Sequence, residues 1–557
     1  MNAVPHAVIA ALSALVFAPG LQAQELADST DPMRGYPAPV LPFDASDTEP
    51  APTDSLAQAI SDAYESNPLL AARRYELRAT DNSLGLALSQ TRTNIQAQLS
   101  GGYDYTDPGR ITQASRPLID RLNDPNIERD DIGGQIIIDQ PLSTGGRARA
   151  DIAAAGAEIK AGREALRGTE GDLLNELIAA YADVRRDDKA LRIRQKNEQV
   201  LVRTLDEVAA RRDAGELTRT DIAQAQTQLQ NARVQLNVAQ AQLQQSRAEF
   251  AALVGREPGL LAPEPPLPLV PASIDDAFDV ADQMNPELRE AVHVERASRA
   301  RIASARAEGR PSLSLRGVAG TTGPASPLND KDQDLSLSAR ATLTIPLAQG
   351  GRVGALVGQA LDRNSADRLR IEAARRQMVR AIISAWNQMV TSKRNQQAQE
   401  AQLQAARIYY EGTFEEYRAG LRSTFDVLFA QNSLRDTEIA LLASARDHYV
   451  SQAALLRQLG QLEVGKLITG NALYDPAIHS REVERRGALP WDAAVRALDG
   501  LGAASDRQQV IDQPARWPAS PKMAPASPAA PDPQLMTHSP ATPIIGTGGR
   551  PVGDQRP

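Results

Sequence analysis

The sequence predicts an α+β membrane protein in which strands pooled from several chains close a transmembrane β-barrel that long helices continue as an α-helical barrel, on an internally duplicated plan. Three observations lead there. Paired motifs recur along the 557 residues at a constant offset of 205, the self-similarity that has to be sought before any other pattern. Segments of about ten residues alternate apolar with polar side chains, as in a strand with one greasy face. Runs of about 68 residues, from Gly146 to Gly215 and from Gly351 to Gly420, contain no Pro, and a compact domain has no use for helices of that length.

The duplication sets the boundaries. Ser55 to Ala59 leading to Asn67-Pro68 returns as Ser273 to Ala277 leading to Asn285-Pro286. Pro141-Leu142 followed by Gly145-Gly146-Arg147 returns as Pro346-Leu347 followed by Gly350-Gly351-Arg352, and Gly215 with Asp221 returns as Gly420 with Asp426. Gly255 and Gly460 close the two blocks. The Asn-Pro pairs lie 218 residues apart, so the first block carries 13 additional residues, which fall in the polar loop between its strands. A first repeat is expected over 55–255, with a helix, strands at 94–106 and 132–142, and a helical hairpin over 146–254. A Pro-rich linker spans 256–272. The second repeat covers 273–460, with strands at 311–321 and 334–346 and a hairpin over 351–460, and a C-terminal segment runs over 461–513.

The termini differ in kind from this middle. Ala7 to Ala18 is apolar and is followed by Pro19-Gly20 and the small-residue end Leu21-Gln22-Ala23, so 1–23 reads as a signal peptide, although no Lys or Arg precedes the apolar run. Residues 24–54 and 514–557 are rich in Pro and poor in large apolar residues, a leader and a tail expected to stay disordered. No stretch reaches the ~18 apolar residues of a spanning helix, so a membrane crossing has to use strands.

Composition removes several function classes. Cys is absent and the five His stand at 6, 293, 448, 479 and 538; disulfides, thiolate chemistry and multi-histidine metal sites are therefore not expected. The formal net charge of −8 and pI near 5.4 argue against nucleic acid or an anionic membrane surface as partner. No phosphate loop, nucleophile elbow or HExxH pattern is present, so neither enzymatic activity nor a cofactor is expected.

The strands and helices supply the positive case. In the first strand Ile95, Ala97, Leu99, Gly101, Tyr103 and Tyr105 oppose Asn94, Gln96, Gln98, Ser100 and Asp104; in the last, Leu335, Leu337, Ala339, Ala341, Leu343 and Ile345 oppose Ser336, Ser338, Arg340, Thr342 and Thr344. A small soluble sheet with its apolar side packed inward would show the same alternation. A 68-residue helix would be about 100 Å long. In the return helix Ile222, Ala225, Leu229, Ala232, Leu236, Ala239 and Leu243 follow at spacings of three and four, a heptad seam that requires helical neighbours. Four strands cannot close a barrel whose smallest examples have ~8.

Tandem Gln140-Pro141-Leu142-x-x-Gly145-Gly146-Arg147 and Ile345-Pro346-Leu347-x-x-Gly350-Gly351-Arg352, with Tyr417-Arg418-Ala419-Gly420-Leu421-Arg422-Ser423-Thr424-Phe425-Asp426, resemble the TolC family of outer-membrane channels over roughly residues 55 to 465. The resemblance implies a homotrimer with a 12-stranded barrel in the outer membrane, a periplasmic helical tunnel, and an equatorial region that includes the linker and 461–513. It implies a passive exit duct for type I protein secretion or small-molecule efflux, joined to an inner-membrane adaptor (membrane fusion protein) and its transporter. The ending Tyr449 to Leu462, with Leu455-Leu456-Arg457-Gln458-Leu459, resembles secretion-type members more than drug-efflux members. The alternatives are a periplasmic adaptor with a helical hairpin and a coiled-coil surface adhesin.

Candidate site residues lie at the helix turns. Thr218 with Asp221 and Ser423 with Asp426 read as capping boxes. By resemblance, Asp221, Tyr417 and Arg422 form the network that closes the periplasmic entrance. Asp426 would contribute a carboxylate ring, and the second acidic ring of some members falls at Phe429. Gly215, Leu217, Gly420 and Leu421 are the candidate tips for docking an adaptor; for the glycines, a left-handed helix end is the plainer reading.

Overall fold

The computed structural model describes residues 53–106, 127–215, 217–325, 333–419, 421–468 and 473–502. The expected signal peptide, nearly all of the leader, the tail, most of the first strand-joining loop, part of the second, and Gly420 lie outside them. Among the described residues no helix is long and apolar enough to cross a membrane.

Each half opens with a broken helix where the sequence suggests a single one. Helices α1 (Leu56–Ser66) and α2 (Pro68–Ser89) part at Asn67, and their counterparts in the second half, α5 (Ile274–Met284) and α6 (Pro286–Ala307), part at Asn285. The Asn backbone is extended, as a residue before Pro prefers. Its side-chain oxygen then accepts from the next helix, Leu70 N at 3.1 Å in one case and Leu288 N at 2.9 Å in the other. A new helix thus starts with Pro at its first position.

The strands β1 (Asn94–Thr106), β2 (Ile127–Ser143), β3 (Ser312–Pro324) and β4 (Asp334–Thr344) form one antiparallel sheet in the order β1-β2-β3-β4. β2 starts five residues before the expected 132. Its register explains this, because Ile127 pairs with Thr106 and keeps the long β1 partnered to its end. Rows of side chains run across the sheet. Ile95, Ile138, Gly317 and Ala339 form one row; Asn94, Asp139, Arg316 and Arg340, on the other side, form another. The apolar side is bare: Leu99 is 88% and Leu337 85% exposed. The opposite side carries polar contacts, with Gln135 Nε2 donating to Gln98 Oε1 at 2.9 Å and Arg316 paired to Asp139 at 2.6 Å. Both faces of the outer strands β1 and β4 are exposed, so the single chain offers the apolar side no cover, which a soluble sheet packed inward would need.

From the sheet the chain passes into α3 (Arg147–Asp213) and α7 (Arg352–Arg418), each 67 residues and about 100 Å long. They return through α4 (Arg219–Val254) and α8 (Thr424–Gln458), of 36 and 35 residues. The heptad positions Ala225, Leu229, Ala232 and Leu243 are buried, as are Leu173, Leu177, Ala180 and Val184 on α3. Polar layers interrupt the seam, with Gln431 reaching Asn197 and Asn432 donating to Gln228 at 3.1 Å.

The largest apolar core lies midway along the helices, where Leu56, Ile60, Leu177, Ile178, Tyr181, Phe250, Val254 and Leu456 meet. Tyr181 donates to Ala262 O of the linker at 2.6 Å, and burial pushes its phenol up to about 12. Thr53 and Asp54, assigned above to the leader, are tied down here. Asp54 bridges to Leu261, and Arg256 pairs with both Asp54 and Asp62 at 2.8 Å. Beyond a short turn α9 (Val464–Leu467), α10 (Ala477–Arg485) packs along α2, and α11 (Asp492–Gly502) packs on β2 and α3 at the base of the sheet, well away from this core. The C-terminal segment is therefore not confined to the equator, because its carboxylates find their partners at the strand-to-helix junction.

Candidate functional site

Each hairpin turns far from the sheet. Gly215 has a φ of 83°, the left-handed value that ends a helix without strain, and an added Cβ would meet nothing within 4 Å. In the second hairpin Leu421 N donates back to Glu416 O at 2.8 Å, the six-to-one bond of a Schellman ending. Leu421 stands out into solvent, whereas Leu217 is half-buried.

Each returning helix begins with a reciprocal cap. Thr218 donates its backbone N–H and hydroxyl to Asp221 Oδ2, both at 2.8 Å, and Asp221 N donates to Thr218 Oγ1 at 3.3 Å. Ser423 and Asp426 repeat the arrangement at 3.1, 2.8 and 3.3 Å. These donors favour the ionised carboxylate. The backbone N–H and then the hydroxyl of Thr218 hold Asp221 below the usual carboxylate value; the hydroxyl and then the backbone N–H of Ser423 do the same for Asp426.

The structure joins the two tips through Arg211, a residue that the sequence reading passed over. Tyr417 receives a hydrogen bond from Arg211, whose guanidinium lies 5.7 Å from the ring centre. Arg422 pairs with Glu416 at 2.7 Å within its own tip, and the carboxylate raises the guanidinium further above its ordinary value. Among the described residues of one chain Asp221 therefore bonds Thr218, while Tyr417 takes Arg211 and Arg422 takes Glu416 as partner. The repeat offset held the missed signal: Arg211 and Glu416 stand 205 residues apart, an equivalent position with opposite charge in the two halves. Phe425 and Phe429, exposed one turn apart on α8, have ring centres 6.4 Å apart and no aromatic counterpart in the first half.

A sheet that is apolar on one side and polar on the other, running into paired helices of 67 residues that end in capped, solvent-exposed turns, defines a membrane-anchored conduit. Comparison with known proteins supplies the family. Residues 59–256 and 278–461 match the model of the outer membrane efflux protein family, and the chain belongs to that family. The TolC-type assignment made from the tandem motifs stands. The outer membrane efflux protein BepC of Brucella suis is 28% identical over 437 residues, 78% of this chain and 91% of that one. The alkaline protease secretion protein AprF of Pseudomonas aeruginosa is 26% identical over 262 residues, 46% of this chain and 54% of the relative. Among solved structures, the CmeC outer membrane channel of Campylobacter jejuni superposes with a TM-score of 0.64 at 14% identity, covering 77% of this chain and 89% of that one. The protein is thus an outer-membrane export duct, and its family is one of conduits rather than of enzymes.

Proposed function

We propose that three copies of the chain assemble one channel, each contributing four strands to a 12-stranded barrel and its two hairpins to a periplasmic tunnel. One observation carries this reading: within the chain β1 and β4 each have a single partner, so both edges of the sheet are open. Unpaired strand edges are not tolerated in hydrocarbon, and β1 of one copy against β4 of the next removes every edge. The matched order of helices, strands and hairpin in the two halves, with the 205-residue offset, supports a duplicated origin for the repeat boundaries given above.

The hairpin tips then surround the periplasmic entrance. Arg422 and Glu416, Tyr417 and Arg211, and the capped Asp221 and Asp426 form the constriction, while Gly215, Leu217, Gly420 and Leu421 present the surface to an inner-membrane adaptor whose transporter supplies the energy. Detergent-corrected light scattering with single-channel recording tests the assembly. Three copies per particle with steady conductance is the expected result; a monomer that conducts nothing would overturn it.

A further inference from the structure

At the base of the sheet the C-terminal helix α11 is fastened to the first strand pair by its buried face. Asp499 Oδ1 accepts from Thr144 N at 2.6 Å and Thr144 Oγ1 at 3.0 Å, and that hydroxyl in turn accepts from Ala148 N at 3.0 Å, capping the start of α3. Asp492 pairs with Arg92 at 3.3 Å. Trp491, just before the helix, donates Nε1 to Thr93 Oγ1 at 3.1 Å, and Thr93 immediately precedes β1. Asp492, Val495 and Asp499 thus face inward along one stripe.

The other side of α11 is unpartnered. Trp491 is 50% and Leu498 51% exposed, and Ala494 lies exposed between them. This apolar stripe continues the bare apolar side of the sheet, whose first member, Ile95, is two residues beyond Thr93. Beside it a cavity of about 450 Å³ is lined by Thr91, Arg149, Ile152, Arg496 and Asp499. The exposed Arg149 and Arg496 form no ion pair among the described residues, where most arginines have one; Arg496 only donates to Asp492 O at 3.4 Å. Asp499 has one carboxylate oxygen bound to Thr144 and the other without a partner, so the cavity holds two cations against one anion. The chain is acidic overall, yet this corner is locally cationic.

We propose that α11 is an interfacial helix seated in the periplasmic leaflet of the outer membrane, with Trp491 and Leu498 at the acyl boundary and Arg149 and Arg496 holding a phospholipid phosphate. An indole with its N–H satisfied by protein and its ring exposed suits the headgroup level, and a helix with an apolar stripe beside arginines suits the plane of a bilayer surface. The proposal rests on the reading of the sheet's apolar side as lipid-facing.

Full-length protein in lipid nanodiscs, with Trp386 and Trp517 changed to Phe so that Trp491 is the only tryptophan, tests it by quenching with phospholipid brominated high on the acyl chain. Loss of most Trp491 emission is expected. The control is Leu99→Trp in a chain lacking all three native tryptophans. If the control is quenched and Trp491 is not, the helix does not reach lipid and the proposal falls alone; if neither is quenched, the lipid-facing sheet falls with it. Replacing phosphatidylcholine by phosphatidylglycerol should deepen Trp491 quenching, and Arg149→Gln with Arg496→Gln should abolish that gain. A gain that survives both substitutions overturns the phosphate site, and a gain abolished by soluble inorganic phosphate assigns the site to a free anion instead of lipid.

Discussion

Arg422 shows how one side chain can hold two structures at once. Its partner Glu416 lies six residues earlier, across the helix end, so the pair staples the turn as well as setting charge at the tip. Arg422→Ser should release both, and planar-bilayer recording is expected to show a higher conductance than wild type; no gain would count against a closing role. The carboxylates at the caps behave differently with pH. A carboxylate held below its ordinary value contributes stability that is present above that value and is lost as pH falls through the lowered one. Asp221 and Asp426 therefore stay ionised between about pH 5 and 8, and reversal potentials across the channel should be flat over that window; a drift already near pH 6 would point to another group. In the core, Tyr181→Phe leaves Ala262 O without its donor, and a loss of about 1 kcal/mol in stability is expected from thermal unfolding. The caps were legible from Thr-x-x-Asp and Ser-x-x-Asp spacing, because a cap is local. Arg211 with Tyr417 was not, because that contact joins side chains 206 residues apart.

At the level of elements, pattern and structure agree where periodicity speaks. The heptad of α4 lies on its buried side, and α3 and α4 stop beside Gly215 and Gly255, both left-handed. Leu177, fully buried in the midway core, should cost about 2–5 kcal/mol when changed to Ala, read as a lowered unfolding midpoint of the helical signal. The break at Asn67 was less legible, since Pro at the first position of a helix and Pro ending one look alike until the Asn side chain is seen capping forward. The early start of β2 was also hidden: Ile127 to Asp131 lacks clean alternation, and only pairing with β1 draws it into the sheet.

For the whole molecule, the apolar side of the sheet carries the consequence. A charge placed at Leu337, with most of its surface bare, should cost about 2–4 kcal/mol if the site lies at mid-bilayer and about 0–1 kcal/mol near an interface. Leu337→Arg is therefore expected to reduce the amount of folded protein in the outer-membrane fraction, while Ser338→Arg, on the polar side, leaves it unchanged; equal effects would contradict a lipid-facing side.

Amphipathic period, helix length and cap chemistry are short-range properties of the chain, so residue order suffices to read them, as it does the tandem motifs and with them the family. Only the fold settled where α11 fastens, which arginine meets which carboxylate at the tips, and that nothing within the chain covers the apolar side of the sheet. Those outcomes join residues far apart along the chain, where side-chain identity sets what can pair and only the fold sets what comes within reach.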